Sequence, residues 1–187
     1  MKILPTALAD IIVIEPEVLR DARGFFLESY HTQRYTQAGL PTTFVQDNHS
    51  RSTRGTLRGL HYQLTRPQGK LVRAVRGAAF DVAVDVRRGS PTFARWISLE
   101  LSDENQRQVY IPPGFAHGFC ALTEPCEIEY KCTDYYAAED QHGIPWNDPL
   151  LAIRWPVSDP LLSDRDRTYA PLTPDRSDLP PYEARPT

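Results

Sequence analysis

The sequence lacks any long apolar segment and any excess of positive charge. Its longest aliphatic run is the four residues from Ile11 to Ile14, whereas a membrane-spanning helix needs about 20 apolar residues. The first ten residues also lack the apolar stretch of a secretory signal peptide. The formal net charge is −3, which argues against a dedicated nucleic-acid-binding protein. We therefore expect a cytoplasmic protein that binds neither membranes nor nucleic acids.

Cysteine and lysine are both scarce. The cysteines are Cys120, Cys126 and Cys132, an odd number without the spacing of a metal site, and they lie in apolar segments that resemble strands. We therefore expect reduced thiols in the protein core, as is usual in the cytoplasm. Three lysines stand against 18 arginines. The planar guanidinium of arginine suits phosphate and carboxylate groups, although a GC-rich genome produces the same bias.

Helical patterns are nearly absent, and only residues 32–38 predict a short helix. Apolar and polar residues instead alternate with period two in the segments 80–86, 96–101 and 126–132, as expected of β-strands. Further segments rich in β-forming residues are 11–14, 25–30, 43–46, 56–63, 70–76, 107–111 and 117–122. Many short strands about ten residues apart, separated by glycine and proline turns, predict an all-β sandwich or barrel.

The 17 prolines lie between these short segments and in the last residues of the chain. They punctuate the sequence rather than interrupt helices, and the sequence contains no internal repeat. The length favours one domain. We expect this domain to occupy residues 1–170, followed at 171–187 by a Pro-rich, extended C-terminal tail.

A first group of polar residues surrounds His61. Arg58 precedes this histidine by three residues, and Lys70 follows it by nine. In a regular strand Arg58 and His61 would face opposite sides of the sheet. Either Gly59 forms a β-bulge between them, or the two residues belong to different sites.

A second histidine, His117, follows a Pro113-Gly114 turn, an arrangement similar to the second short motif of the cupin jelly rolls. In metal-binding cupins an earlier strand supplies a His-x-His pair and a glutamate. Here residues 61–63 are His-Tyr-Gln, and no glutamate lies between Glu28 and Glu100. One histidine and one glutamine are too few ligands for a stable divalent metal, so the sequence favours a metal-free site.

Three other positions have both a structural and a functional interpretation. Tyr130 lies on the inward face of its strand, where its hydroxyl could bond to the backbone or transfer a proton. Asp164 and Asp166 lie in a loop, where they could be solvated or could hold a histidine in one tautomer. Arg23 and Glu28 flank an aromatic pair, and they could be surface charges or part of the polar rim of a nucleotide site.

Seven short motifs in a fixed order make the sequence recognisable. They are Arg23-Gly24-Phe25-Phe26-x-Glu28, Gln46-x-Asn48-x-Ser50, Leu57-Arg58-Gly59-Leu60-His61, Pro113-Gly114-x-Ala116-His117-Gly118-Phe119, Tyr130-Lys131-Cys132, Trp146-Asn147-Asp148-Pro149 and Leu162-Ser163-Asp164-Arg165-Asp166. Together they resemble the dTDP-4-dehydrorhamnose 3,5-epimerase family over about residues 3–170. Any one motif alone would be weak, and it is their shared order and spacing that carry the resemblance.

This resemblance implies a cupin-like jelly roll that works as a homodimer without a metal or an organic cofactor. The implied activity is epimerisation at C3 and C5 of dTDP-4-dehydro-6-deoxy-D-glucose to dTDP-4-dehydro-L-rhamnose, in dTDP-L-rhamnose biosynthesis. By the same resemblance His61 is the general base, Asp166 its dyad partner, Tyr130 the acid on the opposite face and Lys70 the cation beside the C4 oxygen. The implied substrate contacts are Arg23, Phe26, Glu28, Gln46, Asn48, Arg58, His117, Tyr136, Gln141 and Arg165.

Among these contacts, the resemblance assigns Arg58, His117 and Arg165 to the sugar and the diphosphate, and Tyr136 to stacking on thymine. Gln141 departs from the family, which usually has a glutamate at this position.

Three alternative functions stand beside the implied activity. They are a mono-epimerase acting at C3 or C5 alone, a metal-dependent cupin oxygenase or isomerase, and a non-catalytic sugar-binding jelly roll.

Overall fold

The computed structural model describes residues 1–183, and β-strands make up nearly all of its regular structure. The strands are β1 (Lys2–Leu4), β2 (Ile12–Glu15), β3 (Val18–Asp21), β4 (Gly24–Leu27), β5 (Gln46–Ser52), β6 (Leu57–Gln63), β7 (Lys70–Arg76), β8 (Ala78–Asp85), β9 (Trp96–Ser102), β10 (Gln108–Ile111), β11 (Phe115–Ala121), β12 (Cys126–Cys132) and β13 (Gln141–Gly143). The described residues also form a short helix, α1 (Thr32–Gln37), and a 3₁₀ turn at Ala138–Asp140. No helix within residues 1–183 is long and apolar enough to cross a membrane.

Two antiparallel sheets form the body of the molecule. The strand order is β1-β2-β10-β7-β12-β5 in the six-stranded sheet and β13-β6-β11-β8-β9 in the five-stranded sheet. Neighbouring strands are mostly distant in sequence, as in a cupin-like jelly roll, so the predicted fold class is confirmed. Strands β3 and β4 pair with each other in a separate two-stranded hairpin.

The main hydrophobic core lies between the two sheets. Val72 and Ile128 of the six-stranded sheet belong to the same buried cluster as Ala83 and Phe119 of the five-stranded sheet. The removal of these side chains from water is the main force that holds the two sheets together. Tyr130 packs against this cluster without being part of its buried set, so its ring lies at the margin of the core.

A second buried cluster covers the outer face of the five-stranded sheet. Val82 and Val84 of β8 pack there with Leu172 and Leu179 from the C-terminal segment. The polar face of β8 consequently points between the sheets, where Asp81 is fully buried. The period-two pattern therefore correctly predicts a strand at β8, and both faces of that strand are buried.

The C-terminal segment 171–183 contains no helix or strand, and it is held by backbone bonds to the loop after β8 and by Arg176 to β6. The backbone N–H of Arg88 donates to the Pro180 carbonyl at 2.8 Å, and that of Tyr182 donates to the Arg88 carbonyl at 3.0 Å. The Arg176 guanidinium donates to the hydroxyl of Tyr62 at 3.2 Å. Residues 184–187 of the predicted tail lie outside the described residues.

Most of the predicted elements are present, including the helix at 32–38 and the three alternating strands. The prediction at 43–46 is wrong in its bounds, because strand β5 begins at Gln46 and continues to Ser52 through residues with little apolar character. The sequence does not predict the short strands β1, β3 and β13. All three cysteines are buried and unpaired, as expected.

Candidate active site

A cavity of about 550 Å³ opens between the two sheets, which is within the usual range for small-molecule sites. Strands β5, β7 and β12 of one sheet, strands β6, β11 and β13 of the other, and the loop at 161–166 contribute to its lining. Predicted site residues on this lining are Gln46, Asn48, Arg58, His61, Lys70, His117, Tyr130, Tyr136, Gln141 and Asp166. The fold thus gathers residues that lie up to 120 positions apart in the sequence.

A β-bulge in β6 brings Arg58 and His61 to the same cavity. His61 lies opposite His117 of β11, and Arg58 lies opposite Phe119, so three steps along β6 match two steps along β11. Gly59 in the bulge has φ of +125°, and a Cβ there would lie 2.5 Å from the Cα of Gly118. A side chain at position 59 would therefore be excluded. Of the two sequence alternatives, the bulge is correct.

His61 is paired with Asp166. The Nε2 atom of His61 lies 2.5 Å from Oδ1 of Asp166, whose side chain is only 4% exposed. The Asp166 backbone N–H donates to the Ser163 hydroxyl at 3.1 Å, which fixes the loop beside the histidine. The other acidic candidate, Asp164, is exposed. Because the carboxylate binds Nε2, the Nδ1 atom is the ring nitrogen left for the cavity.

Burial controls the charge of His61 more strongly than Asp166 does. Burial lowers the pKa of His61 below its ordinary value, and the contact with Asp166 raises it only in part. Electrostatic interactions with Lys70 and His117 act on the pKa of His61 in the same direction as burial. The lowered pKa keeps the imidazole neutral at neutral pH, which is the form that accepts a proton.

Tyr130 and Lys70 lie on the sheet opposite His61. Tyr130 is on β12 and Lys70 is on the neighbouring strand β7, whereas His61 belongs to the five-stranded sheet. Burial raises the pKa of Tyr130, so its phenol remains protonated. Burial lowers the pKa of Lys70, against the opposing effects of Cys132 and Asp81. The site therefore places a neutral base on one sheet and a phenol with an amine on the other.

His117 has a carboxylate partner that the sequence analysis missed. Its Nε2 atom lies 2.8 Å from Oδ2 of Asp81, and both side chains are buried. Within residues 1–183, the other carboxylate oxygen of Asp81 has no hydrogen-bond partner. The alternating pattern places Asp81 on a polar strand face, and only the covering C-terminal segment shows that this face is internal.

The polar residues at the mouth of the cavity form short hydrogen-bonded groups. The Tyr136 backbone N–H donates to Oε1 of Gln46 at 2.9 Å, and the Gln46 amide donates to Oδ1 of Asn48 at 2.9 Å. Arg58 donates from Nε to the Ser52 hydroxyl at 3.1 Å. These contacts position the amides of Gln46 and Asn48, the backbone of Tyr136 and the guanidinium of Arg58 along the cavity.

Four predicted substrate contacts do not line the cavity of their own chain. Arg23, Phe26 and Glu28 lie on or next to the β3–β4 hairpin, where Phe26 is 69% exposed. Arg23 pairs with Asp21 of the same hairpin, and Glu28 pairs with a residue of α1. Arg165 donates to the backbone carbonyls of Ala138 and Gln141 and thereby supports the edge strand β13.

The residues that could bind a metal are dispersed. Within residues 1–183, no three His, Cys, Asp or Glu side chains are placed to share a metal ion. Gln63, which takes the place of the second cupin histidine, donates to the Arg66 carbonyl at 2.6 Å and accepts from the Ala137 N–H at 2.9 Å. Its amide therefore has a structural role in holding two loops.

Comparisons with known proteins agree on one family. A family model described as dTDP-4-dehydrorhamnose 3,5-epimerase matches residues 5–173. The dTDP-4-dehydrorhamnose 3,5-epimerase of Pseudomonas aeruginosa is 58% identical over 169 residues, which cover 89% of this chain and 93% of that protein. The dTDP-4-dehydrorhamnose 3-epimerase of Streptomyces niveus is 43% identical over 169 residues, which cover 89% of this chain and 82% of that protein.

A solved structure is similar over nearly the whole chain. The crystal structure of the dTDP-6-deoxy-D-glucose-3,5-epimerase of Legionella pneumophila, in complex with dTDP-4-keto-L-rhamnose, matches with a TM-score of 0.94. Its sequence is 48% identical, and the match covers 98% of this chain and 99% of that chain. Both the sequence match and the backbone match therefore extend well beyond the cavity.

Proposed function

The chain belongs to the dTDP-4-dehydrorhamnose 3,5-epimerase family, and from this we propose how its cavity carries out the epimerisation of dTDP-L-rhamnose biosynthesis. The enzyme is an isomerase that inverts C3 and C5 of dTDP-4-dehydro-6-deoxy-D-glucose to give dTDP-4-dehydro-L-rhamnose. The observation that carries this proposal is the position of His61 and Tyr130 on facing sheets of one cavity. Inversion of a carbon centre needs a base on one face of the sugar ring and an acid on the other.

The C4 ketone of the substrate makes the C–H bonds at C3 and C5 acidic. His61 removes the proton from one of these carbons, and the electron pair of the broken C–H bond moves into an enolate at C4. Tyr130 then donates its phenolic proton to the same carbon from the opposite face. Since the carbonyl is itself the electron sink, the proposed reaction uses no metal and no redox cofactor. A positioned base or acid typically contributes about 10²–10⁴-fold in rate.

Lys70 and His117 are suited to stabilise the enolate oxygen. The enolate carries more negative charge on that oxygen than the ketone does, so a nearby cation binds the transition state more strongly than the substrate. Asp81 bonds to His117 and partly offsets the lowering of the Lys70 pKa by burial, so it favours the cationic form of this lysine. Arg58 lies on the same cavity with its guanidinium available for the diphosphate.

Deuterium incorporation tests the proposed reaction directly. The enzyme is incubated with dTDP-4-dehydro-6-deoxy-D-glucose in deuterated water, and C3 and C5 of the product are followed by NMR. We expect deuterium at both carbons, because each inversion replaces a substrate hydrogen with one from the solvent-exchangeable acid. Deuterium at one carbon would indicate a mono-epimerase, the activity named for the Streptomyces niveus relative. Substrate binding without any exchange would indicate a non-catalytic sugar-binding protein.

We further propose that the enzyme is a homodimer in which the β3–β4 hairpin of one subunit completes the cavity of the other. Leu19, Phe25 and Phe26 of this hairpin are 57%, 55% and 69% exposed, and large apolar side chains exposed together mark a contact surface. Arg23, Phe26 and Glu28 do not line the cavity of their own chain. A second copy of the chain would bring them to a cavity while burying the aromatic pair.

Mixing two inactive variants tests this arrangement. His61→Asn lacks the base, and the double variant Arg23→Ala, Phe26→Ala lacks the hairpin contacts. In a mixed dimer, one cavity combines an intact base with an intact hairpin, so random exchange should restore about a quarter of wild-type activity. Each variant refolded alone is the control. The arrangement is wrong if mixed dimers form, as shown by copurification of two different tags, and remain inactive.

The state of the three cysteines supports a proposal for the cellular location of the enzyme. We propose the cytoplasm, because Cys120, Cys126 and Cys132 are all buried and unpaired. Reduced cysteines are typical of proteins in that compartment. The nucleotide-sugar substrate that we propose also requires a cell compartment where such activated sugars are made.

A further inference from the structure

Tyr169 packs against His61, the proposed base. Its ring centroid is 5.8 Å from that of His61, with the two planes at 68°. Tyr169 follows Asp166 by three residues in the same loop, so one loop supplies both the carboxylate and the ring that contact His61. Sequence analysis did not select Tyr169, because a single tyrosine in a polar loop carries no pattern.

Gly143 makes room for this ring. Strand β13 pairs with β6 so that Gly143 lies directly opposite His61. A Cβ at position 143 would overlap the Tyr169 ring, and its three nearest neighbours would all be ring atoms of Tyr169. The glycine therefore lets Tyr169 approach the edge strand beside His61 as closely as it does.

The other end of the tyrosine is also fixed. The side-chain amide of Gln141, two residues before Gly143, donates to the Tyr169 hydroxyl at 2.8 Å. Burial raises the pKa of Tyr169, so the hydroxyl stays protonated. A hydrogen bond from β13 thus fixes the Tyr169 hydroxyl, and the absence of a side chain at position 143 leaves the space that the ring fills.

We propose that Tyr169 is a positioning residue for His61. The Tyr169 ring keeps the imidazole of His61 oriented toward the substrate and keeps water away from the imidazole. This inference rests on the proposed role of His61 as the base. Asp166 holds only one nitrogen of His61, and a single hydrogen bond leaves the imidazole free to tilt about that contact. The Tyr169 ring lies edge to face with the imidazole and restricts this tilt.

The groups around His61 indicate how its pKa would change if water entered the site. The titratable groups that act on it are Asp166 from the loop, His117 from β11 and Lys70 from β7, whereas the cavity-lining residue of β13, Gln141, is not titratable. Burial is the largest influence and lowers the pKa of His61. Loss of the Tyr169 ring would admit water, reduce this effect and raise the pKa toward the ordinary value.

Tyr169→Ala is the first test. We expect kcat to fall roughly 10- to 100-fold, because small misplacement of a reacting group has effects of that size, while KM changes much less. The acid limb of kcat/KM reports the protonation of the base in the free enzyme, and it should move to higher pH by about 0.5–1 unit. Tyr169→Phe keeps the ring against His61 and should retain the wild-type acid limb. Tyr182→Ala, which removes an aromatic ring elsewhere on the C-terminal segment, is the matched control.

Gly143→Ala provides an independent test, because its new methyl group should displace the Tyr169 ring. Alone it should reproduce the lower kcat and the shifted acid limb. Combined with Tyr169→Ala it should add nothing further, since the methyl group then has free space. If Tyr169→Ala fails to fold, as judged by thermal melting, Gly143→Ala alone decides the question through the acid limb.

An NMR titration of the histidine side chains separates this inference from the proposed function. The His61 signal is identified by its absence in His61→Asn, and its midpoint should rise in Tyr169→Ala and in Gly143→Ala. An unchanged midpoint and an unchanged acid limb in a folded Tyr169→Ala enzyme would overturn the positioning role. So would additive losses from the two substitutions. Full activity of His61→Asn would instead overturn the base assignment, and the titration would still report whether Tyr169 controls His61.

Discussion

His61→Asn is expected to lower kcat by about 10⁴-fold, at the upper end of the effect of a single general base. Asparagine is polar and smaller than histidine, so the cavity should be kept, whereas the contact with Asp166, which uses Nε2 of His61, is lost. It cannot accept a proton from carbon, so deuterium from solvent should enter neither C3 nor C5. The measurement is the rate of product formation together with NMR of both carbons in deuterated water.

A matched substitution supplies the control for this result. His49→Asn changes a half-exposed histidine on β5 that pairs with Glu127 on the surface of the sheet, and it should leave kcat unchanged. Affinity for dTDP should be similar in wild type and His61→Asn, which excludes loss of the nucleotide site as the cause. Continued exchange at either carbon in His61→Asn would show that another group removes the proton.

Tyr130→Phe is expected to lower the rate of product formation by about 10²–10⁴-fold, the usual contribution of a positioned acid. Removal of the substrate proton by His61 should continue. Only a hydroxyl is lost, and the ring still packs against the core cluster. His61 can still take a proton and return a deuteron to the same face of the ring. Unreacted substrate recovered from deuterated water should therefore carry deuterium while its configuration is unchanged.

The raised pKa of Tyr130 matters for this expectation, because a phenol that stays protonated can serve as the acid over the neutral pH range. Tyr182→Phe is the control for the loss of a tyrosine hydroxyl outside the cavity. A Tyr130→Phe enzyme with normal turnover would make Tyr130 a packing residue and would remove the two-face mechanism.

The sequence predicts the fold well where apolar and polar residues alternate, because that pattern has one structural meaning. Strand β12 is an example, with Cys126, Ile128 and Cys132 buried as the alternation requires. Strand β5 shows the limit of the pattern, since residues 46–52 are all polar and are held in place by pairing with β12. Long-range pairing of this kind is absent from any local window of the sequence.

The site residues show the same contrast between local sequence patterns and long-range contacts. His61, Tyr130 and Asp166 belong to recognisable motifs and Lys70 follows one of them, and the fold brings all four to one cavity. Asp81 and Tyr169 escape sequence analysis because their importance depends on a covering segment and on a glycine in another strand. The hairpin residues Arg23, Phe26 and Glu28 are a third case, because in the proposed homodimer they would act at the cavity of the other subunit.

In the proposed mechanism the base His61 and the acid Tyr130 lie on facing sheets, so the separation of those sheets affects the reaction rate. Packed sheets lie roughly 10 Å apart, and the side chains between them, such as Val72, Ile128 and Ala83, act as spacers that set this separation. The gap between the proposed base and acid therefore depends in part on residues that do not line the cavity. Enlarging or shrinking a spacer would change the fit of a pyranose in the gap, so variation in the apolar core offers a route by which related enzymes adjust to sugars of different shape.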